Sequence, residues 1–315
     1  MDFITSHKDH QEPGGLRWGV EPICHVLSEH GVKIAPSTYY EWENKQPTSR
    51  QVRDEELMVQ IRRVWDDNFQ VYGARKIWLT LNRAGIQVAR CAVERLMKQM
   101  GLKGIHRGKA KRTTIADKSA QLPGDLVNRH FAPLAPNRLW VADFTYVSTW
   151  SGWVYVAFII DAYARRILGW AASTTMNTDM VLAALNQALW QRQREHRDNY
   201  HDLVAHSDHG VQYTSLRYCE RLAQAGLTPS TGTIGDSYDN ALAETINGLY
   251  KTELIKRHGP WRNANEVEYA TAEWVDWYNY RRLYEYCGDT SPVECENQYY
   301  ARNQEAPQPV AASVE

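Results

Sequence analysis

The sequence predicts an α/β protein in which all-α regions precede a mixed five-stranded sheet with flanking helices. Three observations predict it. Residues 139–173 hold three strand-like runs separated by short turn signals. Helical and short-strand patterns then alternate up to a long helix near residue 239. Residues 1–102 read as helices, with apolar residues at helical spacing.

In chain order, residues 1–50 form a small helical region. Ile23, Val26 and Leu27 recur at helical spacing over Pro22–Glu29, Gly31 ends that helix, and Ser37 is placed to cap a second over Thr38–Glu43. This is helix-turn-helix spacing, although many helical hairpins share it. Residues 51–102 give three helices. Asp54–Trp65 carries Leu57, Val59, Ile61 and Val64; Gly73–Ala84 carries Ile77, Trp78 and Leu81; Arg90–Met100 carries Val93, Leu96, Met97 and Met100. The last shows Arg95 and Lys98 on its opposite face, so it can enter a major groove; a plain three-helix bundle gives the same pattern. Residues 103–130 lose periodicity and read as a basic linker, able to follow a phosphate backbone or to serve only as a solvated tether.

The large domain spans residues 131–300. Leu139–Ser148 alternates as a strand, and Trp153–Ile160 is apolar on both faces, as a central strand is. Asp161 reads as a turn residue before a third strand, Arg166–Ser173. A helix (Asp179–Arg194), a strand (Leu203–His206), a helix (Ser215–Ala225), a strand (Thr228–Thr231) and the long helix follow. This β-β-β-α-β-α-β-α order is that of a ribonuclease H-like core. Residues 301–315 read as a disordered Pro/Ala-rich tail.

The net charge of −1 conceals an asymmetry: residues 50–130 hold 17 Lys/Arg against 8 Asp/Glu. A basic segment beside an acidic remainder suggests a nucleic-acid grip joined to a carboxylate-rich domain, or a surface on which charge merely clusters. Arg95, Lys98, Lys103, Arg107, Lys109, Lys111 and Arg112 follow one another without an acid and are the candidate DNA contacts. Five cysteines without a C-x-x-C pair argue against structural zinc and against a disulfide framework. No apolar run reaches the roughly 18 residues of a membrane span and no signal-peptide pattern opens the chain, so a cytoplasmic location is expected.

Three acids carry the candidate chemistry. Asp143 lies mid-strand in an apolar neighbourhood, where a carboxylate is costly without a cation or hydrogen-bond donors. Asp208 ends a short strand before Gly210, and 35 residues separate it from Glu244. On the helical wheel Asn240, Glu244, Asn247 and Lys251 share a stripe opposite Leu242, Ile246 and Leu249. Any one of these acids alone is more often a surface carboxylate, and Lys251 alone reads equally as a surface lysine. As a set on separate elements, the acids suit Mg²⁺, two ions of which can activate an attacking oxygen and stabilise a leaving one; Mn²⁺ can substitute. Asp161, Asp236, Asp239 and Glu253 are read as decoys, and His206 and His209 as groups beside the site or as structural histidines.

The words W-V-A-D-F-T-Y, H-S-D-H-G-V-Q-Y-T-S and G-D-S-Y-D-N-A-L-A-E-T-I-N-G-L-Y-K-T-E-L together resemble the catalytic signature of DDE transposases. They most resemble the OrfB product of the insertion-sequence-3 family, related to retroviral integrases. Residues 72–102 resemble that family's helix-turn-helix region, and W-V-D-W-Y-N-Y-R-R-L with S-P-V-E-C resembles its C-terminal signature. The resemblance implies an integrase-type core in which Asp143, Asp208 and Glu244 are the catalytic metal ligands and Lys251 contacts DNA. It implies strand transfer by a 3′-OH on the element's terminal inverted repeats, a homo-oligomer on DNA, and an upstream-frame product or fusion as a partner. No heptad repeat is present, which leaves this chain as a candidate downstream portion of such a fusion. Tyr284 stands where the family often has His, and Cys287 where it has Leu. Two other functions fit the same words: a DNA-binding regulator with an idle core, and a ribonuclease H-like nuclease.

Overall fold

The computed structural model describes residues 1–105, 132–208, 210–231 and 241–304. The chain divides into two compact units, Met1–Gln60 and Ile61–Glu315. Most of the linker, and the tail beyond Gln304, lie outside the described residues.

In the first unit α1 (Asp2–His7), α2 (Val20–Glu29) and α3 (Pro36–Glu43) enclose a small core of Ile4, Val20, Ile23, Cys24 and Tyr39. Two sequence expectations are corrected here. Val26 is 50% exposed, off the buried stripe of α2. Ser37 is not the cap of α3: Ala35 precedes the helix in an extended conformation and Pro36 takes its first turn, where the fixed φ of proline fits and its missing N–H costs nothing. Helix α4 (Ser49–Asp67) buries Leu57 and Ile61, one turn apart, and leaves Val59 between them exposed.

The second unit contains α5 (Ala74–Arg83) and α6 (Arg90–Gln99), which bury Ile77, Leu81, Val93, Leu96 and Met97. Polar contacts fix this helical pair to the C-terminal elements. Arg75 donates to both oxygens of Asp289 at 2.7 and 2.6 Å, and Arg83 to both oxygens of Glu294 at 2.7 Å. Tyr72 Oη accepts the Leu283 N–H at 2.7 Å.

The sheet is assembled from β1 (Leu139–Thr149), β2 (Gly152–Asp161), β3 (Arg166–Ser173), β4 (Val204–Ser207) and β5 (Thr228–Thr231), in the order β3-β2-β1-β4-β5. The first three strands are an antiparallel meander; β4 and β5 extend it in parallel, giving the mixed five-stranded sheet expected. One face, with Trp140, Ala142, Ala157, Ile159 and Leu168, packs on Val181, Ala184 and Ala188 of α7 (Thr178–Arg194). Beyond α8 (Leu216–Gln224), α9 (Ala241–Tyr250) lies against β1, and α11 (Ala264–Tyr280) against β3. Between them, across the sheet from α7, Phe158 meets the rings of Tyr250 and Trp274 at 5.2 and 6.3 Å. The 3-residue α10 (Lys256–His258) precedes α11, and α12 (Pro292–Gln304) closes the described chain. Among the described residues no helix is long and apolar enough to cross a membrane.

Gly169 sets how closely β3 and α7 approach. A Cβ there would stand 2.1 Å from the carbonyl oxygen of Ala184 and 2.7 Å from the backbone nitrogen of Ala188. Neither backbone atom can rotate away, so Gly169→Ala is expected to destabilise the second unit by about 2–3 kcal/mol through overpacking. Chemical denaturation checks this; an unchanged midpoint would show that the layers separate freely.

Asp161 is not a turn residue. It ends β2 fully buried, accepts from the backbone N–H groups of Asn137 and Tyr163 at 2.8 and 2.9 Å, and accepts from Arg192 of α7 at 2.8 Å. Glu296 of α12 joins the same cluster through Arg192, Arg166 and Arg197.

Candidate active site

The register of the parallel strands places two acids together. β4 pairs with β1 from Leu139↔Val204 to Ala142↔Ser207 and then ends, while β1 continues to Thr149. Asp143, mid-way along β1, and Asp208, just past the end of β4, are the next positions beyond that pairing, so they stand side by side where the parallel ladder ends. Side chains where such a ladder ends open into a crevice, the usual location of α/β sites. Asp208 Oδ1 accepts the N–H of Gly210 at 3.0 Å, which folds the chain sharply after the acid.

Helix α9 supplies the third side. Asn247 is buried and donates from Nδ2 to Asp143 Oδ2 at 2.9 Å, while Asp143 Oδ1 accepts its neighbour's N–H, from Phe144, at 2.8 Å. Glu244, one turn before Asn247, is exposed. Asp143 is pushed up to about 8, first by its removal from water and then by the charges of Asp208 and Glu244; the N–H of Phe144 and the amide of Asn247 oppose the rise. The three acids therefore sense one another. Among the described residues, however, no three His, Cys, Asp or Glu side chains converge closely enough to hold a metal ion by themselves. Asp143 and Asp208 are adjacent by register; Glu244 stays on the solvent side of its helix.

After Tyr250 the helix widens into a π turn, Lys251–Ile255, a feature that shifts the helical phase and recurs at functional sites. Lys251 lies with its ammonium 4.6 Å from the centre of the Tyr146 ring. Burial depresses its pKa, Lys256 adds to that, and Asp143 pulls the other way. Glu253, in the same turn, is buried against Arg282, which donates to it at 2.6 to 3.1 Å. Its charge is balanced there by the guanidinium rather than exposed.

One group at the site escaped the sequence reading. Tyr213 is buried, its ring tilted against Phe144 at 6.2 Å, and the charge of Asp143 contributes to raising its hydroxyl after burial. Among the described residues, Tyr213 Oη and Asn247 Oδ1 are buried without a hydrogen-bond partner. The signal for Tyr213 was its place five residues after Asp208, in a word read only for its acid and histidines. His206 is buried with Nδ1 3.0 Å from Ser230 Oγ, a tie between β4 and β5.

Of the basic candidates, Arg95 and Lys98 are exposed on α6, and Lys103 follows α6, also exposed. Arg107, Lys109, Lys111 and Arg112 lie outside the described residues, as do His209, Asp236, Asp239 and Asn240. A groove of about 840 Å³ between α5, α6 and the π turn is lined by Lys76, Lys98, Lys103, Leu249 and Thr252, among others. Burial and the Arg282 charge bring Lys76 down to about 8. Tyr284 lies apart from the acids, its ring 5.0 Å from the Arg282 guanidinium.

Residues 133–237 and 225–292 match models of an integrase core domain, and residues 52–110 match an HTH-like domain. A transposase for insertion sequence element IS986/IS6110 from Mycobacterium tuberculosis is 64% identical over 271 residues, covering 86% of this chain and 98% of the relative. The transposase for insertion sequence element IS629 from Shigella sonnei is 54% identical over 290 residues, covering 90% and 94%. Among solved structures, a simian T-cell lymphotropic virus intasome is similar at a TM-score of 0.46 and 15% identity, covering 81% of this chain and 79% of that one, a likeness too loose to carry functional detail. At the level of the family, the integrase core and these relatives define a DDE-type polynucleotidyl transferase. The chain belongs to the insertion-sequence transposases, in the OrfB group of the insertion-sequence-3 family.

Proposed function

We propose that this chain cuts and joins DNA at the ends of its insertion sequence, binding the terminal inverted repeats and transferring a 3′-OH onto a target phosphodiester. The observation that carries the reading is the register that sets Asp143 of β1 beside Asp208, just past the end of β4, with Asn247 holding Asp143 and Glu244 one helical turn from Asn247. The donor set fits a hard divalent cation: oxygen donors only, with the charges of Asp208 and Glu244 both acting on Asp143. Asp143, Asp208 and Glu244 would hold Mg²⁺, or Mn²⁺ in its place, which would supply Lewis-acid activation of the attacking and leaving oxygens.

The protein's own groups have separate tasks. Asn247 fixes the rotamer of Asp143 by donating to Oδ2, so the other oxygen and the crevice remain oriented. Without a cation, Asp143 keeps its proton at neutral pH. Lys251 offers a point charge to a DNA phosphate, and the exposed Arg95, Lys98 and Lys103 offer more along α6 and beyond it. Arg107, Lys109, Lys111 and Arg112 extend the same basic run in sequence. Residues 52–110 would recognise the repeats through the HTH-like domain. Synapsis of two ends calls for at least two copies on DNA, with an upstream-frame product as a further partner, and DNA as substrate places the work in the bacterial cytoplasm.

Labelled terminal-repeat DNA mixed with a target plasmid and Mg²⁺ or Mn²⁺ tests this directly. Joined products are expected. Cutting without joining would point to a nuclease, and binding without either to a regulator with an idle core. In the same assay Lys251→Ala is expected to weaken DNA binding about ten-fold, with a salt slope shallower by about one counterion. A slope equal to that of the parent protein would place Lys251 off the phosphate backbone.

A further inference from the structure

Three aromatic side chains at the hairpin end of β1 and β2 stand in water: Tyr146 at 55% exposure, Trp150 at 72% and Trp153 at 53%. The register pairs Tyr146 with Tyr155 and Ser148 with Trp153, so Tyr146 and Trp153 share one sheet face as diagonal neighbours. Their rings meet edge to face with centres 5.3 Å apart. The same face is covered by α7 at Trp140, Ala142, Ala157 and Ile159, and the cover thins towards Phe144 and Tyr155, which are only partly buried. Past that point the sheet continues and the helix does not. Neighbouring exposed aromatics of this kind mark interaction surfaces more often than accidents of folding.

The surroundings select the occupant. Lys251 stands 4.6 Å from the centre of the Tyr146 ring, and Asp143 lies three residues before Tyr146 on the same strand, about 10 Å along it and, by the alternation of the strand, on the opposite sheet face. An apolar protein partner laid on this patch would have to bury the Lys251 charge uncompensated. A nucleotide would not, because it brings a flat π surface to the rings and a phosphate to the cation. We propose that Tyr146 and Trp153 form a shelf on which an unpaired base stacks, its phosphate neutralised by Lys251. The shelf rests on the strand-transfer reading above. It adds to it that the DNA is bound with a base out of the duplex. Stacking on aromatic side chains is tolerant of sequence, so the shelf acts on any terminal base.

The test uses the full chain and a short duplex with a single-stranded 3′ overhang carrying 2-aminopurine, compared with the blunt duplex of the same sequence. The parent protein is expected to quench the 2-aminopurine and to prefer the overhang. Tyr146→Ala and Trp153→Ala should lose the quenching and bind the overhang about ten-fold more weakly, with blunt-duplex affinity unchanged. Tyr146→Phe keeps the ring and should behave as the parent, as should Tyr269→Ala, which removes an exposed aromatic on α11. Equal losses on both DNAs, unchanged quenching in Tyr146→Ala, or no overhang preference in the parent would each overturn the shelf. Failure of the underlying reading has a different signature: the parent protein then joins no terminal-repeat DNA at all, whatever its quenching shows.

Discussion

Asp143→Asn should abolish strand transfer and, in the metal-free protein, raise thermal stability at and above neutral pH. Both effects come from one carboxylate. The substitution keeps size and shape and can still accept from the N–H of Phe144 or from Asn247, so the strand is not disturbed. What it removes is the charge that a cation at the site would use, and a loss of about 10³-fold or more in joining is expected. Asp208→Asn and Glu244→Gln should lose joining comparably; full activity in any one would remove that residue from the site. The stability effect has a definite direction. Asp143 sits at about 8 in the folded protein against an ordinary value of 3.8, so the native state binds a proton that the unfolded chain releases. Below about pH 4 both states are protonated and the acid costs nothing. As pH rises through the window between those values the native state loses stability, and above about pH 8 the penalty is complete, amounting to several kcal/mol. Asn escapes it, so the gap in melting midpoint between variant and parent should widen from about pH 5 to about pH 9. Mg²⁺ should close the gap by stabilising the parent alone. Equal midpoints at about pH 9 without metal would mean that Asp143 is not desolvated as its surroundings indicate.

Much of this arrangement was legible in the sequence, and the parts that were not share a cause. Alternation along Leu139–Ser148 and the run ending at His206 located the strands that carry Asp143 and Asp208, because local periodicity reports local structure. That the two acids are neighbours depends on the Ala142↔Ser207 pairing, a register between strands more than 60 residues apart in sequence, and no local pattern encodes it. The wheel put Asn247 on the stripe of Glu244, and Asn247 does face an acid, although it is buried while Glu244 is exposed. Past Tyr250 the π turn changes the phase, so a wheel drawn at constant pitch no longer describes Lys251–Ile255. Asp161 failed for the opposite reason: the Asp-Ala-Tyr-Ala turn signal was real, but the ion partner that makes the acid a core residue is on α7.

That partner sets the second large effect. Arg192 is fully buried and donates to Asp161 at 2.8 Å, to Glu296 in a short contact and to Glu195 at 3.4 Å. Arg166 donates to Glu195 at 3.0 and 2.5 Å and to Glu296 at 3.1 Å, so one cluster ties the end of β2 and the start of β3 to α7 and α12. Burial raises Asp161 even with Arg192 beside it, and the Glu296 charge adds to that. Arg192→Met fills much of the same space without a charge and strands Asp161 beside Glu296. Glu296 retains Arg166 and Arg197, and Asp161 retains only the backbone N–H groups of Asn137 and Tyr163. Breaking one side of a buried ion pair costs about 3–5 kcal/mol, which for a unit of this size lowers the melting midpoint by about 10 °C. Two further measurements separate loss of charge balance from loss of packing. The deficit should shrink as pH falls, because the stranded Asp161 can then take a proton, and Asp161→Asn in the Arg192→Met background should recover a large part of it. A deficit that is flat with pH and untouched by Asp161→Asn would assign the effect to the shape of Arg192 rather than to its charge.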